Sequence, residues 1–303
     1  MDIYLPVAEM SVNLFLLLGI GGGVGFLSGV FGVGGGFLMT PMLLFIGIPA
    51  TVAVGTQALQ ILSSSISGVL AQMRRGAVDR RMGLVLVAGG FMGSGLGILL
   101  FHLLQRLGQI DSAISLSYVL LLGIVGTLML VEGLGTFLRG RRGGPARKSR
   151  LHQHFWLHGL PFKLRFPKSR LYISVGVPVV VGMAVGVLSA IMGVGGGFIM
   201  IPAMIYLIGM PTGVVVGTSL FQVCFVAALT AFLHATTNQT VDIILGLILT
   251  AGGVVGAQFG AQFGARLRGE QVRLLLACLV LLVALKLGYD LIVTPADPYS
   301  LAS

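Results

Sequence analysis

Long runs of apolar residues dominate the chain, broken by short polar or glycine-rich punctuation. Eight of the runs, at 11–32, 50–73, 82–105, 113–138, 172–192, 212–235, 243–265 and 271–293, approach the ~20 residues that an α-helix needs to cross a ~30 Å hydrocarbon layer. Two shorter runs, 37–48 and 198–210, are only about a dozen residues long. That is too short for a comfortable crossing. Each follows a glycine cluster and carries a proline near its start. The pattern predicts an all-α polytopic membrane protein in which these two places hold broken or re-entrant helices.

The runs also repeat. GFLSGVFGVGGGFLMTP at 25–41 is answered by GVLSAIMGVGGGFIMIP at 186–202, and GTQALQ at 55–60 by GTSLFQ at 217–222. VDRRMGLVLVAGGFMG at 78–93 is answered by VDIILGLILTAGGVVG at 241–256. The chain is a tandem duplication: membrane repeat 1 over 11–138, a basic linker over 139–170, and membrane repeat 2 over 171–293.

Composition agrees with the class. Hydrophobic residues make up 56% of the 303 residues, charged residues 9%, and the mean hydropathy is +1.01. A soluble domain of this size does not look like that. Residues 1–10 contain Asp2 and Glu9 but neither Lys nor Arg, so the first apolar run is not expected to be a cleaved signal.

Charge sets an expected orientation. Of 19 Lys and Arg, four lie at 74–81, ten at 139–170 and three at 266–273. The positive-inside rule places those segments in the cytoplasm, and the loops near Asp111 and Thr236 outside with both chain ends. The first half then starts outside and the second inside, which makes the two repeats inverted. The net charge of +10 reads as membrane orientation, not nucleic-acid binding, because no aromatic platform accompanies the basic residues. The alternation in PFKLRFPK at 161–168 suggests a segment lying on the anionic inner leaflet.

Inverted repeats bring the two glycine clusters together near the membrane centre. Adjacent glycines expose backbone N–H groups, and such groups at a helix start suit an anion. Gly34, Gly35 and Gly36 are therefore expected to bind substrate together with Gly195, Gly196 and Gly197. Thr56 and Gln60, and Thr218 and Gln222, sit at i, i+4 on one helix face and offer neutral donors. Their neighbours Gln57 and Ser219 complete the candidate set. Gly89 to Gly93 and Gly252 to Gly256 read instead as close-packing pairs. Asp79 and Asp242 read as helix N-caps. Glu132, an ionisable group within a span, is a candidate for proton coupling. His152, His154 and His158 lack the Cys or carboxylate partners of a zinc site, so no metal or cofactor is expected.

The doubled G-V-G-G-G-F-x-M-x-P, the short segment after it and the Gly-Thr start of the next helix resemble the sulfite exporter TauE/SafE family of membrane transporters. The resemblance spans 11–292 and departs from the family in the central 139–170 segment. It implies a multi-pass inner-membrane carrier, an exporter of sulfite or small organosulfonate anions. A secondary transporter is the leading function. An anion channel with a glycine-rich re-entrant filter is the alternative. A membrane enzyme lacks any paired carboxylate or nucleophile with its base.

Overall fold

The computed structural model describes residues 2–31, 36–140, 163–169, 171–264 and 269–293. It is a bundle of helices with two small hairpins. The first half runs β1 (Asp2–Leu5), β2 (Met10–Asn13), α1 (Leu14–Phe31), α2 (Gly36–Phe45), α3 (Ala50–Arg74), α4 (Arg80–Arg106) and α5 (Ile110–Gly140). The second half runs β3 (Lys163–Phe166), β4 (Leu171–Ser174), α6 (Gly176–Met192), α7 (Gly197–Pro202), α8 (Thr212–Leu233), α9 (Ile243–Gly264) and α10 (Gly269–Ile292). The chain winds as a π-helix over Ala203–Ile208 after α7 and over His234–Asn238 after α8.

Every apolar run of the sequence is a helix, with ends within a few residues of those expected. Five described helices are long and apolar enough to cross a membrane: those over Arg80–Arg106, Ile110–Val131, Gly213–Asn238, Ile243–Phe263 and Leu274–Ile292. At 1.5 Å per residue the 10-residue α2 is only about 15 Å long. The 25-residue α3 is long enough to cross, but Gln57, Gln60, Ser63, Ser64, Ser65, Ser67 and Gln72 make it much more polar than the others.

The segment expected on the inner leaflet forms half of a hairpin. Lys163, Leu164, Arg165 and Phe166 alternate with the two-residue period of a strand, and they pair antiparallel with Ser174, Ile173, Tyr172 and Leu171. Phe166 is buried in an apolar cluster with Met82 and Val181, while Leu164 and Arg165 face outward. β1 and β2 form the same device ahead of α1. Both hairpins turn at a proline, Pro6 and Pro167, at the repeat offset of 161. The remainder of the linker, including His152, His154 and His158, lies outside the described residues, as do the side chain of Glu132 and the backbone of Gly34 and Gly35.

The halves are interlaced. α1 packs on α9, α4 on α6, α5 on α10 and α3 on α8, with secondary contacts of α4 on α8 and α3 on α9. Exchanging the halves (α1 for α6, and so on through α5 for α10) returns this same set of pairings. Phe37 and Phe198, repeat equivalents, stack on each other with centroids 4.5 Å apart.

Glycine makes the tightest pairs. A Cβ on Gly252 would come 2.7 Å from the Leu18 carbonyl oxygen, and one on Gly256 would overlap that of Gly22. Across the α4–α6 pair, a Cβ on Gly89 or Gly93 would overlap the carbonyl oxygens of Val179 or Met183. These glycines serve close helix packing, as their small-xxx-small spacing predicts.

Asp79 and Asp242 cap α4 and α9, and each also holds a hairpin. Oδ1 of Asp79 accepts from the N–H of Met82 (3.2 Å), and Oδ2 accepts from the N–H and hydroxyl of Ser169 at 3.0 and 2.6 Å. Oδ1 of Asp242 accepts from the N–H of Leu245 (3.0 Å), and Oδ2 from that of Val7 (3.1 Å). One carboxylate thus satisfies an orphan helix-start donor and ties down the turn of a hairpin belonging to the other half.

Candidate functional site: a cavity beside Gln60

A cavity of about 700 Å³ opens between α1, α3 and α9, with Gly36 and the glycines after α6 at its inner end. Its wall on α3 runs from Gln60 through Ser64 and Gly68 to Ala71, a stripe with helical spacing. Those eleven steps span roughly 16 Å. Ala71 lies one turn from the exposed Arg74 and Arg75, so the cavity runs from the middle of α3 toward its basic end. α9 contributes Gly253, Ala257 and Ala261, and α1 contributes Gly25 and Ser28. The small residues of α9 and α1 make the space; larger ones would fill it. No charged side chain lines it among the described residues.

Gln60 is the polar group at the inner end. It is 7% exposed, and its Oε1 is buried without a hydrogen-bond partner among the described residues. An acceptor left unpaired costs on the order of 1–3 kcal/mol, and it is the Nε2 amide of the same side chain, not Oε1, that can donate to an anion. Gly36, Gly195 and Gly197 line the same end. Among the described residues, the amides of Gly195, Gly196, Gly197 and Phe198 have no backbone acceptor. The serines are less available: Ser64 and Ser65 donate to the carbonyls of Ile61 and Leu62, each at 3.0 Å. A hydroxyl must leave its carbonyl before it can donate to a ligand.

The glycines after α6 have a backbone reason to be glycine. Gly193, Gly195 and Gly196 take φ of +69°, +70° and +72°, a region that L side chains avoid. Gly196 does not line the cavity; a Cβ there would overlap Val185. Gly195 does line it, and a Cβ there would sit 2.6 Å from the Ile61 side chain.

The rest of the expected set divides. Gln57, fully buried one helical turn before Gln60, accepts from the Thr40 hydroxyl and donates to the Gly36 carbonyl. It pins α2 to α3 and fixes where Gly36 sits. Thr56 accepts from the N–H of Asp242 at 2.9 Å, and Thr218 accepts from that of Asp79 at 3.0 Å. These are equivalent bonds in the two halves, each joining the helix after the break to the start of the other half's fourth helix. Ser219 donates to the Val216 carbonyl at 3.0 Å. Gln222, the counterpart of Gln60, is fully buried away from the cavity, and neither polar atom of its side chain has a partner. Of the twelve residues, the structure gathers Gly36, Gln60, Gly195 and Gly197 at the cavity; it places Thr56, Gln57, Gly196, Thr218, Ser219 and Gln222 elsewhere; Gly34 and Gly35 lie outside the described residues. Ser28, Ser64 and Gly253 line the cavity but lie outside the set expected from the sequence. Only the rotation of α1, α3 and α9 about their axes identifies them.

Comparison with known proteins gives one answer. The chain is 31% identical over 229 residues to a protein of Xylella fastidiosa (strain 9a5c) named "Probable membrane transporter protein", covering 74% of each chain. It is 29% identical over 232 residues to "Probable membrane transporter protein YunE" of Bacillus subtilis (strain 168), covering 73% of this chain and 77% of that one. A second Bacillus subtilis (strain 168) protein, "Probable membrane transporter protein YjnA", is 27% identical over 230 residues, covering 75% of this chain and 80% of the relative. No solved structure matches the chain. The family profile described as sulfite exporter TauE/SafE matches residues 17–287, nearly the whole helical bundle with both glycine breaks and the cavity between them, and the chain belongs to that family of multi-pass membrane transporters.

Proposed function

We propose that this protein is a secondary transporter of the inner membrane that exports sulfite or a small organosulfonate anion by alternating access. Gln60 and the glycine-edged inner end of the cavity hold the substrate. The observation that carries this reading is the buried Gln60 side chain, whose Nε2 offers a neutral donor, at the head of a 700 Å³ space with no charged lining. Neutral donors hold an oxyanion more weakly than a fixed cation does, which suits a site that must release its cargo. Arg74 and Arg75 at the mouth raise the local anion concentration without entering the site.

The basic ends of α3 and α9 face the cytoplasm in this reading, so the cavity is open inward. The helix pairings, unchanged on exchange of the halves, support inverted repeats meeting at the two breaks. α2 and α7, each too short to cross, are then re-entrant segments. Gln57, Thr56 and Thr218 take part as positioning residues that hold the breaks. Gln222, Ser219 and Gly196 belong to the equivalent region of the second half.

Closure beyond Gln60 favours a carrier over a channel. A channel needs a continuous path, and Gln222 on the far side is sealed. Sulfite flux into proteoliposomes containing the purified protein tests the reading. Saturation with counterflow is the expected result. Flux linear in concentration would make the protein a channel, and a chemically altered product would make it an enzyme.

A further inference from the structure

Each residue of the cavity wall has a counterpart in the other half, and there the space is filled. At the offset of 162, Gln60, Ser64 and Gly68 of α3 correspond to Gln222, Val226 and Thr230 of α8. At 163, Gly253 and Ala257 of α9 correspond to Gly90 and Ser94 of α4. Where Ala257 faces open space across from α3, Ser94 receives a hydrogen bond from Thr230 at 3.2 Å, and both are fully buried. Val226 and Gln222 lie against Gly90 so closely that a Cβ on Gly90 would meet both.

His234 lies one turn beyond Thr230, where α8 gives way to its π-helical end. It is fully buried. Its Nε2 is 3.0 Å from the Ala190 carbonyl, which requires the proton on Nε2. Nδ1 then accepts from the Asn238 amide at 3.1 Å. The ring stands edge-on to Phe101 of α4, centroids 4.8 Å apart. A single side chain therefore touches α4 and α6 from α8, at the outer end of the same stripe as Gln222.

The geometry points to the α4–α6–α8 seam as the second passage for the substrate, closed here by the Thr230–Ser94 bond and by His234 as its latch. This rests on the carrier reading above. Gln222, buried with neither polar atom paired, is the group that meets the anion once the seam parts. As it opens, the α1–α3–α9 cavity closes in the manner now seen around Gln222. The two passages are chemically unequal. One wall carries Ser64 and Ser65, and its counterpart carries Val226 and Ala227, so the seam prefers to be shut against water and needs only a few polar bonds to hold it.

Single-cysteine reporters test this in full-length protein whose native Cys224 and Cys278 are replaced by Ser. Ser64→Cys reports the open cavity, and Val226→Cys reports its sealed equivalent. The probe is an anionic, membrane-impermeant methanethiosulfonate. In the parent, Ser64→Cys reacts and Val226→Cys does not. His234→Ala and Thr230→Val are each expected to raise the Val226→Cys rate by roughly three- to tenfold, the effect of one lost buried hydrogen bond. In the double variant His234→Ala/Thr230→Val, where the two shifts compound, the Ser64→Cys rate falls as well, because one equilibrium governs both sites. His234→Gln, which keeps an N–H donor, has a smaller effect. A faster Val226→Cys with an unchanged Ser64→Cys in the double variant would mean a loosened seam and would overturn the proposal, as would no change at Val226→Cys. Reciprocal labelling without sulfite counterflow in the wild type would leave the second passage standing and remove the substrate. Both reporters reacting together, with linear flux, would remove the carrier and its gate alike.

Discussion

Gln57 and Gln60 lie three residues apart on α3, are both almost completely buried, and are expected to respond to truncation in opposite ways. Gln57 is fully used. Its carboxamide bonds Thr40 and the Gly36 carbonyl, so Gln57→Ala removes both bonds and leaves the Thr40 hydroxyl only its long contact to the Met192 carbonyl at 3.5 Å. That costs about 1–3 kcal/mol for each group that stays unpaired. Gln60→Ala breaks no hydrogen bond within the described protein, since Oε1 has no partner to lose. It removes a buried polar atom that is already unsatisfied, so the unfolding midpoint should hold or rise. Affinity is where Gln60 should register. One lost neutral hydrogen bond is worth about 0.5–1.5 kcal/mol, and up to ~3 when the ligand's charge assists it. At 1.4 kcal/mol per factor of ten, this is a loss of roughly two- to 150-fold. The assay pairs calorimetric titration of sulfite with thermal unfolding, both on purified, monodisperse protein. If Gln60→Ala binds sulfite as tightly as the wild type while retaining its fold, the cavity head is not the site. If Gln57→Ala is as stable as the wild type, the hydrogen bonds assigned to it do not hold α2 in place.

Further outcomes follow from the caps, the glycine contacts and the charge pattern. Asp79→Ala and Asp242→Ala should each lower stability by about 1–2 kcal/mol for the lost cap, read as a fall in unfolding temperature, and Asp242→Ala should also make the 2–13 hairpin more susceptible to limited proteolysis. Gly93→Val and Gly256→Val should fail to accumulate in the membrane, because each Cβ would overlap a carbonyl oxygen of the neighbouring helix; normal yields on membrane immunoblots would contradict that packing. Cysteine labelling should reach residues near 78 from the cytoplasm and those near 109 and 238 from outside. Finding 78 and 238 on one side would end the inverted arrangement.

The helices were legible because apolar length is a local property, and so were the breaks, since Gly-Gly-Gly followed by Pro suits no regular helix. Gly89, Gly93, Gly252 and Gly256 announced their packing role through spacing alone. The hairpins were missed for want of length. Four residues of alternation at 163–166 match an interfacial segment as well as a strand, although Pro6 and Pro167 at the repeat offset were a signal that the duplication begins earlier than the first span. The site was legible only by half. Thr56 and Gln60 do share a helix face, but whether a hydroxyl is free depends on what comes to meet it. Thr56 meets the N–H of Asp242, 186 residues away, and no local pattern carries that information. Glycine adjacency has a second cause: left-handed φ gives Gly195 and Gly196, two of the expected residues, a backbone reason to be glycine whatever they bind.

The interlacing of the halves bears on how the protein is made. α1 is synthesised first among the helices, yet the partner that covers its glycine face, α9, begins only at Ile243. At 5–20 residues per second, a ribosome needs roughly ten to forty seconds to bridge that gap. For that interval α1 sits in the bilayer with its closest-packing surface unmatched. α4, by contrast, waits only about seventy residues for α6, roughly four to fourteen seconds at the same rate. Neither half holds the partner of its own tightest helix pair, so a fragment ending at the linker lacks those contacts. The α1–α9 pair therefore forms late, and a chain stalled before α9 leaves the glycine face of α1 uncovered.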